Sequence, residues 1–186
     1  MQINTIVQEC IKGKEGAWKM LVNTYSKSIF NMAYQFAGSH QEAEDLTQDI
    51  FLKLYNSLTK YDFKRNFSAW LLTLAKNHLI DQYRKTKWEK KTRDDFNEYN
   101  LSSEAFENPE EGVLKEESKK AIWESINNLP PEIRMTVILR DIQGKNYNEI
   151  AEIMSLPLGT VKSRVNRGRL QLAKILNKKK ERKNGM

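Results

Sequence analysis

The sequence predicts an all-α protein of two small helical domains joined by an acidic flexible linker, the second domain containing a helix-turn-helix. Apolar residues recur every three or four positions in several long segments, which is the spacing of one helix face. No stretch alternates apolar and polar residues long enough for a strand, although residues 136–139 form a short run with β-branched members. Between the periodic segments lies a non-periodic, acidic stretch.

The first two helices are delimited by glycine and serine. Apolar spacing predicts a helix from Trp18 that ends at Gly38. Ser39 lies three positions before Glu42, a capping-box pattern that starts the next helix. The buried stripe of this second helix is predicted at Ala43, Leu46, Ile50, Leu54 and Leu58.

A third long helix is predicted over residues 68–88, after a charged, aromatic loop at 61–67. Its inward residues are predicted to be Leu71, Leu74, Ala75 and Leu79. Another side of this helix is rich in hydrogen-bonding groups: Thr73, Asn77, Asp81, Arg84 and Lys85.

Residues 92–112 have the composition of a linker, so we predict a first domain over 1–91, a second over 113–180 and a tail over 181–186. In the second domain, Pro130 stops one helix and Pro131 starts another, which Gly144 closes. Asn146 is predicted to cap a short helix over 147–154, and a last helix is predicted over about 160–176.

Charge favours a polyanionic partner. The 186 residues carry a net charge of +7, divided as +5 over 1–91, −6 over 92–129 and +8 over 130–186. Two basic blocks around an acidic spacer suit a nucleic acid that is contacted at two places.

The mean hydropathy of −0.70 predicts no membrane insertion. A single cysteine, Cys10, and the lack of a signal-peptide pattern predict a cytoplasmic address.

A short helix, a tight turn and a longer helix is the arrangement that places the second helix in the major groove of DNA. Residues predicted to face inward on that helix are Val161, Val165, Gly168 and Leu172. The exposed side then carries Lys162, Ser163, Asn166 and Arg167, with Arg164 adding attraction for phosphate. The alternative interpretation of these residues is a solvated basic helix.

Four segments in this order and spacing resemble the extracytoplasmic-function sigma factors of bacterial RNA polymerase. They are AEDLTQDIF at 43–51, FSAWL at 67–71, LPPEIR at 129–134 and GTVKSR at 159–164. The resemblance covers nearly the whole chain. It implies promoter recognition and melting of DNA, with core RNA polymerase and both duplex and melted promoter DNA as partners.

The resemblance assigns roles to three groups of residues. Polymerase contacts are expected at Asp45, Gln48, Asp49, Phe51 and Lys53, with core packing as the alternative for Phe51. The melted strand and the downstream promoter element are expected at Phe63, Lys64, Arg65, Phe67, Asn77, Asp81 and Arg84, whereas Trp70 is expected in the core. The upstream element is expected at Lys162, Ser163, Arg164, Asn166 and Arg167.

The resemblance also implies an anti-sigma protein as a partner. It compares the acidic linker with the family's connector, for which a soluble tether is the alternative. The chain departs from the family's pattern at Asn166, where a bulky or aromatic residue is usual, so no promoter sequence can be transferred from a relative.

Two other classes of protein are the alternatives. A conventional dimeric helix-turn-helix regulator would bind a palindrome without polymerase. An enzyme acting on nucleic acid would need a nucleophile with organised basic or metal-binding neighbours, and the sequence has no such pattern. His40 and His78 have no metal-like neighbours in sequence. We therefore expect no catalytic activity, no metal and no cofactor.

Overall fold

The structure is a computed structural model. It describes residues 2–93 and 122–184, and the side chains of residues 2–89 and 122–178. These residues form helices and connecting turns without a strand. The predicted linker lies outside the described residues apart from its first two positions, which continue a helix. In the described residues, no helix is both long enough and apolar enough to cross a membrane.

The first unit comprises four helices: α1 (Ile3–Ile11), α2 (Glu15–Ala37), α3 (His40–Ser57) and α4 (Phe67–Arg93), with a short 3₁₀ turn at Leu58–Lys60. α2 packs against both α1 and α3, and α3 packs against α4. The predicted boundary between α2 and α3 is confirmed. Gly38 has a φ of 83°, and the Ser39 hydroxyl accepts a hydrogen bond from the Glu42 N–H at 3.3 Å.

Burial in the first unit follows the predicted apolar faces. All five stripe residues predicted on α3 are buried, and Leu71, Ala75 and Leu79 of α4 are buried as well. Leu74 is half-buried. α1 was not predicted; its N-terminus has no side-chain cap, and Ile6 and Val7 join the core because α1 packs on α2.

The second unit comprises α5 (residues 122–127), α6 (Pro131–Val137), α7 (Tyr147–Met154) and α8 (Leu158–Asn184). Pro131 occupies the first turn of α6, as predicted. α6 continues into a π turn at Ile138–Ile142, where the Gln143 N–H donates to the Ile138 carbonyl at 2.9 Å. α8 extends beyond the predicted range of about 160–176 at both ends.

The Asn146 cap is confirmed as a full capping box. Its side-chain oxygen accepts hydrogen bonds from the N–H groups of Asn148 and Glu149, both at 3.0 Å. In return, the Glu149 carboxylate accepts from the Asn146 N–H at 2.8 Å, and this bond lowers the pKa of Glu149. The start of α7 is therefore fixed by hydrogen bonds between residues that lie within three positions of each other.

Candidate nucleic-acid interface

α7, a turn at Ser155 and α8 form a helix-turn-helix. Ser155 adopts a left-handed backbone with φ of 54°, which lets the chain reverse between the two helices. Val161 and Val165 on the first turns of α8 are buried at 0% and 1% exposure, as predicted. Because these valines are anchored in the core, the opposite side of α8 is held towards solvent.

Gly168 allows α8 to cross α6 at very short range. A Cβ atom at this position would lie 2.4 Å from Val137 Cγ2 and 2.9 Å from Ile133 Cγ2. Both distances are well below van der Waals contact, so only glycine permits this approach without a shift of the helices. The predicted inward position of Gly168 is therefore confirmed, and its role is to set the distance between the helices.

The exposed side of α8 carries the predicted base-reading groups. Lys162, Ser163, Asn166 and Arg167 are exposed, and Arg164 is half-buried. The Ser163 hydroxyl donates to the Thr160 carbonyl at 2.9 Å, which leaves its oxygen lone pairs as acceptors. The side chains combine the donors and acceptors that recognise guanine, adenine and phosphate.

Two further cations, Arg140 and Arg169, have partners in the structure. The Arg140 guanidinium lies 4.6 Å from the centre of the Tyr147 ring, and Lys162 Nζ lies 6.0 Å from the same ring. These contacts of Tyr147 were not predicted from the sequence. Arg169 forms two hydrogen bonds with Asp141, so most of its charge is already paired.

On α4, the predicted residues Asn77, Asp81 and Arg84 are all exposed. Asn77 accepts a hydrogen bond from Lys76, and Arg84 lies 3.9 Å from Asp81. Arg84 also forms an ion pair with Glu132 of α6. The three residues share one surface, but the guanidinium of Arg84 is already paired with a carboxylate of the second unit.

The predicted loop residues divide into an exposed group and one buried residue. Phe63, Lys64 and Arg65 are exposed, and the Phe63 ring packs on Tyr61 with a centroid distance of 5.0 Å. Phe67 is only 2% exposed because it packs against Tyr25, Tyr61 and Trp70. The prediction that Phe67 contacts DNA is therefore wrong in this structure, since no face of the ring is open to a base.

An apolar groove of about 600 Å³ lies between α2 and α3. It is lined by Trp18, Val22, Ser26, Thr47, Gln48, Phe51, Leu52 and Tyr55. Leu52 and Tyr55 are 63% and 62% exposed, whereas Phe51 is 8% exposed and packs edge-on against Trp18. Phe51 therefore lines the groove, but most of its side chain is packed in the core. Core packing was the alternative for this residue.

Most of the other residues predicted to contact polymerase do not line this groove. Asp45, Gln48, Asp49 and Lys53 are exposed, but only Gln48 lines the groove. Asp49 lies 3.5 Å from Nε2 of His78, a buried residue of α4 whose pKa is lowered by its burial. Leu52 and Tyr55 were missed because exposed apolar residues on a helix are not by themselves a signal of a site.

The helix-turn-helix of the second unit, with α8 held by the buried Val161 and Val165, and the polar surface and apolar groove of the first unit together define a two-unit DNA-binding transcription factor. The chain matches the family models for sigma-70 region 2 over residues 21–89 and sigma-70 region 4 over residues 119–172. Both matches end within helices that the structure describes, α4 and α8.

Relatives match over almost the whole chain. The extracytoplasmic-function sigma factor SigW of Bacillus subtilis is 32% identical over 95% of this chain and 97% of its own length. The sigma-E factor of Escherichia coli is 31% identical over 88% of both chains. A solved structure of the sigma factor RpoE of Bartonella quintana with its anti-sigma factor NepR superposes with a TM-score of 0.66, at 25% identity, over 86% of this chain and 96% of that one.

The chain therefore belongs to the extracytoplasmic-function sigma factors, the proteins that direct RNA polymerase to promoters. This whole-length likeness does not favour the alternative of a conventional dimeric regulator.

Proposed function

We propose that the first domain, residues 1–91, binds core polymerase and the downstream promoter element, while the second domain, residues 113–180, reads the upstream element. The observation that carries this proposal is the set of four exposed polar side chains on the first turns of α8, opposite the buried Val161 and Val165. A helix anchored in this way presents a fixed pattern of donors and acceptors to the major groove.

Arg167 is proposed to read one base pair of the upstream element. Arg167→Ala should cost about 1 to 3 kcal/mol at one promoter position and relax the base preference there. Binding to a set of single-base promoter variants measures this loss. Lys174→Ala, an exposed cation further along α8, is the matched control and should weaken all sequences equally. A uniform loss for Arg167→Ala would contradict base reading.

The groove between α2 and α3 is proposed to bind core polymerase, with Asp45, Gln48, Asp49, Phe51 and Lys53 on or beside it. Leu52→Glu places a charge in the groove at an exposed position, so the fold should be retained. We expect a loss of core polymerase binding, measured by co-migration with purified core enzyme. Leu170→Glu, at an exposed leucine of α8, is the matched control and should bind core normally.

The exposed surface of α4 and the preceding loop are proposed to hold the melted strand, through Phe63, Lys64, Arg65, Asn77, Asp81 and Arg84. An unstacked base needs an aromatic face and polar partners, and Phe63 offers a ring that is 37% exposed. Phe63→Ala should reduce permanganate reactivity of promoter thymines while polymerase still binds the duplex. Unchanged reactivity would remove Phe63 from the site.

The decisive experiment is run-off transcription with purified core polymerase and a promoter library, with and without this protein. Selective initiation supports the proposal, whereas polymerase-independent binding to a palindrome supports the dimeric regulator. We further propose that the protein has no catalytic activity of its own, acts in the cytoplasm and is held inactive by an anti-sigma protein. The complex of the Bartonella quintana relative with NepR supports that last partner.

A further inference from the structure

The hydroxyl of Tyr61 closes the loop that precedes α4. Tyr61 is 4% exposed, and its hydroxyl donates to the Arg65 carbonyl at 2.5 Å. The side-chain oxygen of Asn4, in α1, lies 3.3 Å from the same hydroxyl. Because the bond to Arg65 joins two positions that are four residues apart, it fixes the path of the chain between them.

Between Tyr61 and Arg65 the backbone makes a tight turn with Phe63 and Lys64 at its centre. The Arg65 N–H donates to the Asp62 carbonyl at 2.9 Å, and the Lys64 N–H donates to the Asp62 carboxylate at 3.0 Å. Phe63 is 37% exposed, and its ring packs against the Tyr61 ring with 5.0 Å between the centroids. The turn therefore presents to solvent the ring that is proposed to meet an unstacked base.

The ring and the hydroxyl of Tyr61 have separable roles. The ring packs against Phe67 and Trp70, each with 5.1 Å between the centroids. A phenylalanine ring would fill the same space, so these contacts do not need the hydroxyl. Burial raises the pKa of Tyr61, so the hydroxyl keeps its proton at neutral pH and remains a donor. What the hydroxyl adds is the hydrogen bond that holds the loop.

We propose that Tyr61 is a positioning residue for promoter melting, because its hydroxyl holds Phe63 in place for an extruded base before DNA binds. The inference rests on the proposed function, in which Phe63 contacts the melted strand. A loop that is already ordered loses less conformational freedom when it captures a base. Duplex binding makes no use of this order, because a base can reach Phe63 only after it has left the stack. The hydroxyl should therefore act on melting and not on duplex binding.

Tyr61→Phe tests the proposal, since it removes the hydroxyl and keeps the ring. Opening of one promoter selected from the library is followed by permanganate reactivity over time, at several concentrations of holoenzyme made with purified core polymerase. This series separates the affinity for the closed duplex from the rate constant of opening. We expect the rate constant to fall about three- to tenfold, the usual effect of one hydrogen bond, and the affinity to change less than about twofold.

Tyr25→Phe is the matched control. The Tyr25 ring packs against Phe67 in the same aromatic cluster, but its hydroxyl shares a hydrogen bond with Ser68 Oγ at 2.8 Å and not with the loop. This variant should open the promoter at the rate of the unmodified protein, and circular dichroism checks that both variants are folded. Equal rate constants for Tyr61→Phe and Tyr25→Phe would overturn the proposal.

Phe63→Ala distinguishes positioning from a purely structural role. If the hydroxyl acts through the Phe63 ring, Tyr61→Phe should change the opening rate less than about twofold once that ring is absent. Losses that multiply in the double variant would show that Tyr61 does not act through Phe63, and the proposal would fail. No loss of opening in Phe63→Ala alone would instead overturn the role of Phe63 in the proposed function, so the two failures are distinguishable.

Trypsin measures the order of the loop in the free protein, without polymerase. It cleaves after lysine and arginine, and both Lys64 and Arg65 are exposed. Because cleavage requires local opening of the chain, Tyr61→Phe should be cut at these two positions about three- to tenfold faster than Tyr25→Phe. Fragment masses identify the cut sites. Equal cleavage rates would show that the hydroxyl does not hold the loop, which also overturns the proposal.

Discussion

Replacement of Gly168 by alanine is the sharpest test of how α6 and α8 are packed. The added methyl would meet Val137 at 2.4 Å and Ile133 at 2.9 Å, and these residues are only 2% and 3% exposed. Alanine gains about 1 kcal/mol of helix propensity over glycine, but overpacking a buried site costs about 1 to 3 kcal/mol. Because both neighbours are β-branched and enclosed, we expect the upper part of that cost, about 2 to 3 kcal/mol, and so a net loss of about 1 to 2 kcal/mol in the free energy of unfolding.

Urea denaturation followed by circular dichroism measures this loss, with two variants for comparison. Gly16→Ala, in a helix where nothing lies within 4 Å of the added Cβ, should gain up to about 1 kcal/mol. Val137→Ala combined with Gly168→Ala removes the clash with the Val137 side chain. The double variant should therefore be more stable, by about 1 kcal/mol or more, than the sum of the two single losses predicts. If Gly168→Ala stabilises the protein as Gly16→Ala does, the close helix crossing is refuted.

Three further predictions concern stability. Arg134→Ala should cost about 3 kcal/mol in urea unfolding, because it leaves backbone carbonyls without their donor; a change below about 0.5 kcal/mol would contradict this role. Burial and the nearby positive charge of Lys53 lower the pKa of His78 despite the carboxylates of Asp49 and Asp81, so the unfolded chain binds its proton first as pH falls. Stability should therefore drop below pH of about 6.5, and His78→Gln should flatten that drop by up to about 1.4 kcal/mol per pH unit; an unchanged slope would show that His78 does not cause it. Asn146→Ala should cost about 1 kcal/mol through loss of the α7 cap, and equal stability would argue against the cap.

Local sequence signals were sufficient for most helices. Apolar spacing identified the inward faces of α3, α4 and α8, and the caps at Ser39 and Asn146 placed two helix starts to the residue. Both signals act within a few positions of each other along the chain, so they can be read without knowledge of the fold. The C-terminal ends of α4 and α8 were placed too short, because the polar residues there continue each helix without apolar spacing.

The features that could not be predicted from the sequence depend on contacts between residues far apart along the chain. Phe67 was expected to meet DNA, but the aromatic cluster that buries it draws on Tyr25 from another helix. Arg134 was recognised only as part of a motif, since its acceptor at Phe36 lies 98 positions away. The apolar groove likewise needs side chains from both α2 and α3. Such features depend on tertiary packing, which residue spacing does not encode.

The π turn at Ile138–Ile142 makes the length of this segment a constraint of its own. Its extra residue rotates everything that follows, and in that phase Asp141 meets Arg169 and Gln143 meets Gln35. Removing one residue would restore ordinary helical winding and turn both partners away. Among related chains, insertions and deletions between Pro131 and Asn146 should therefore be rare.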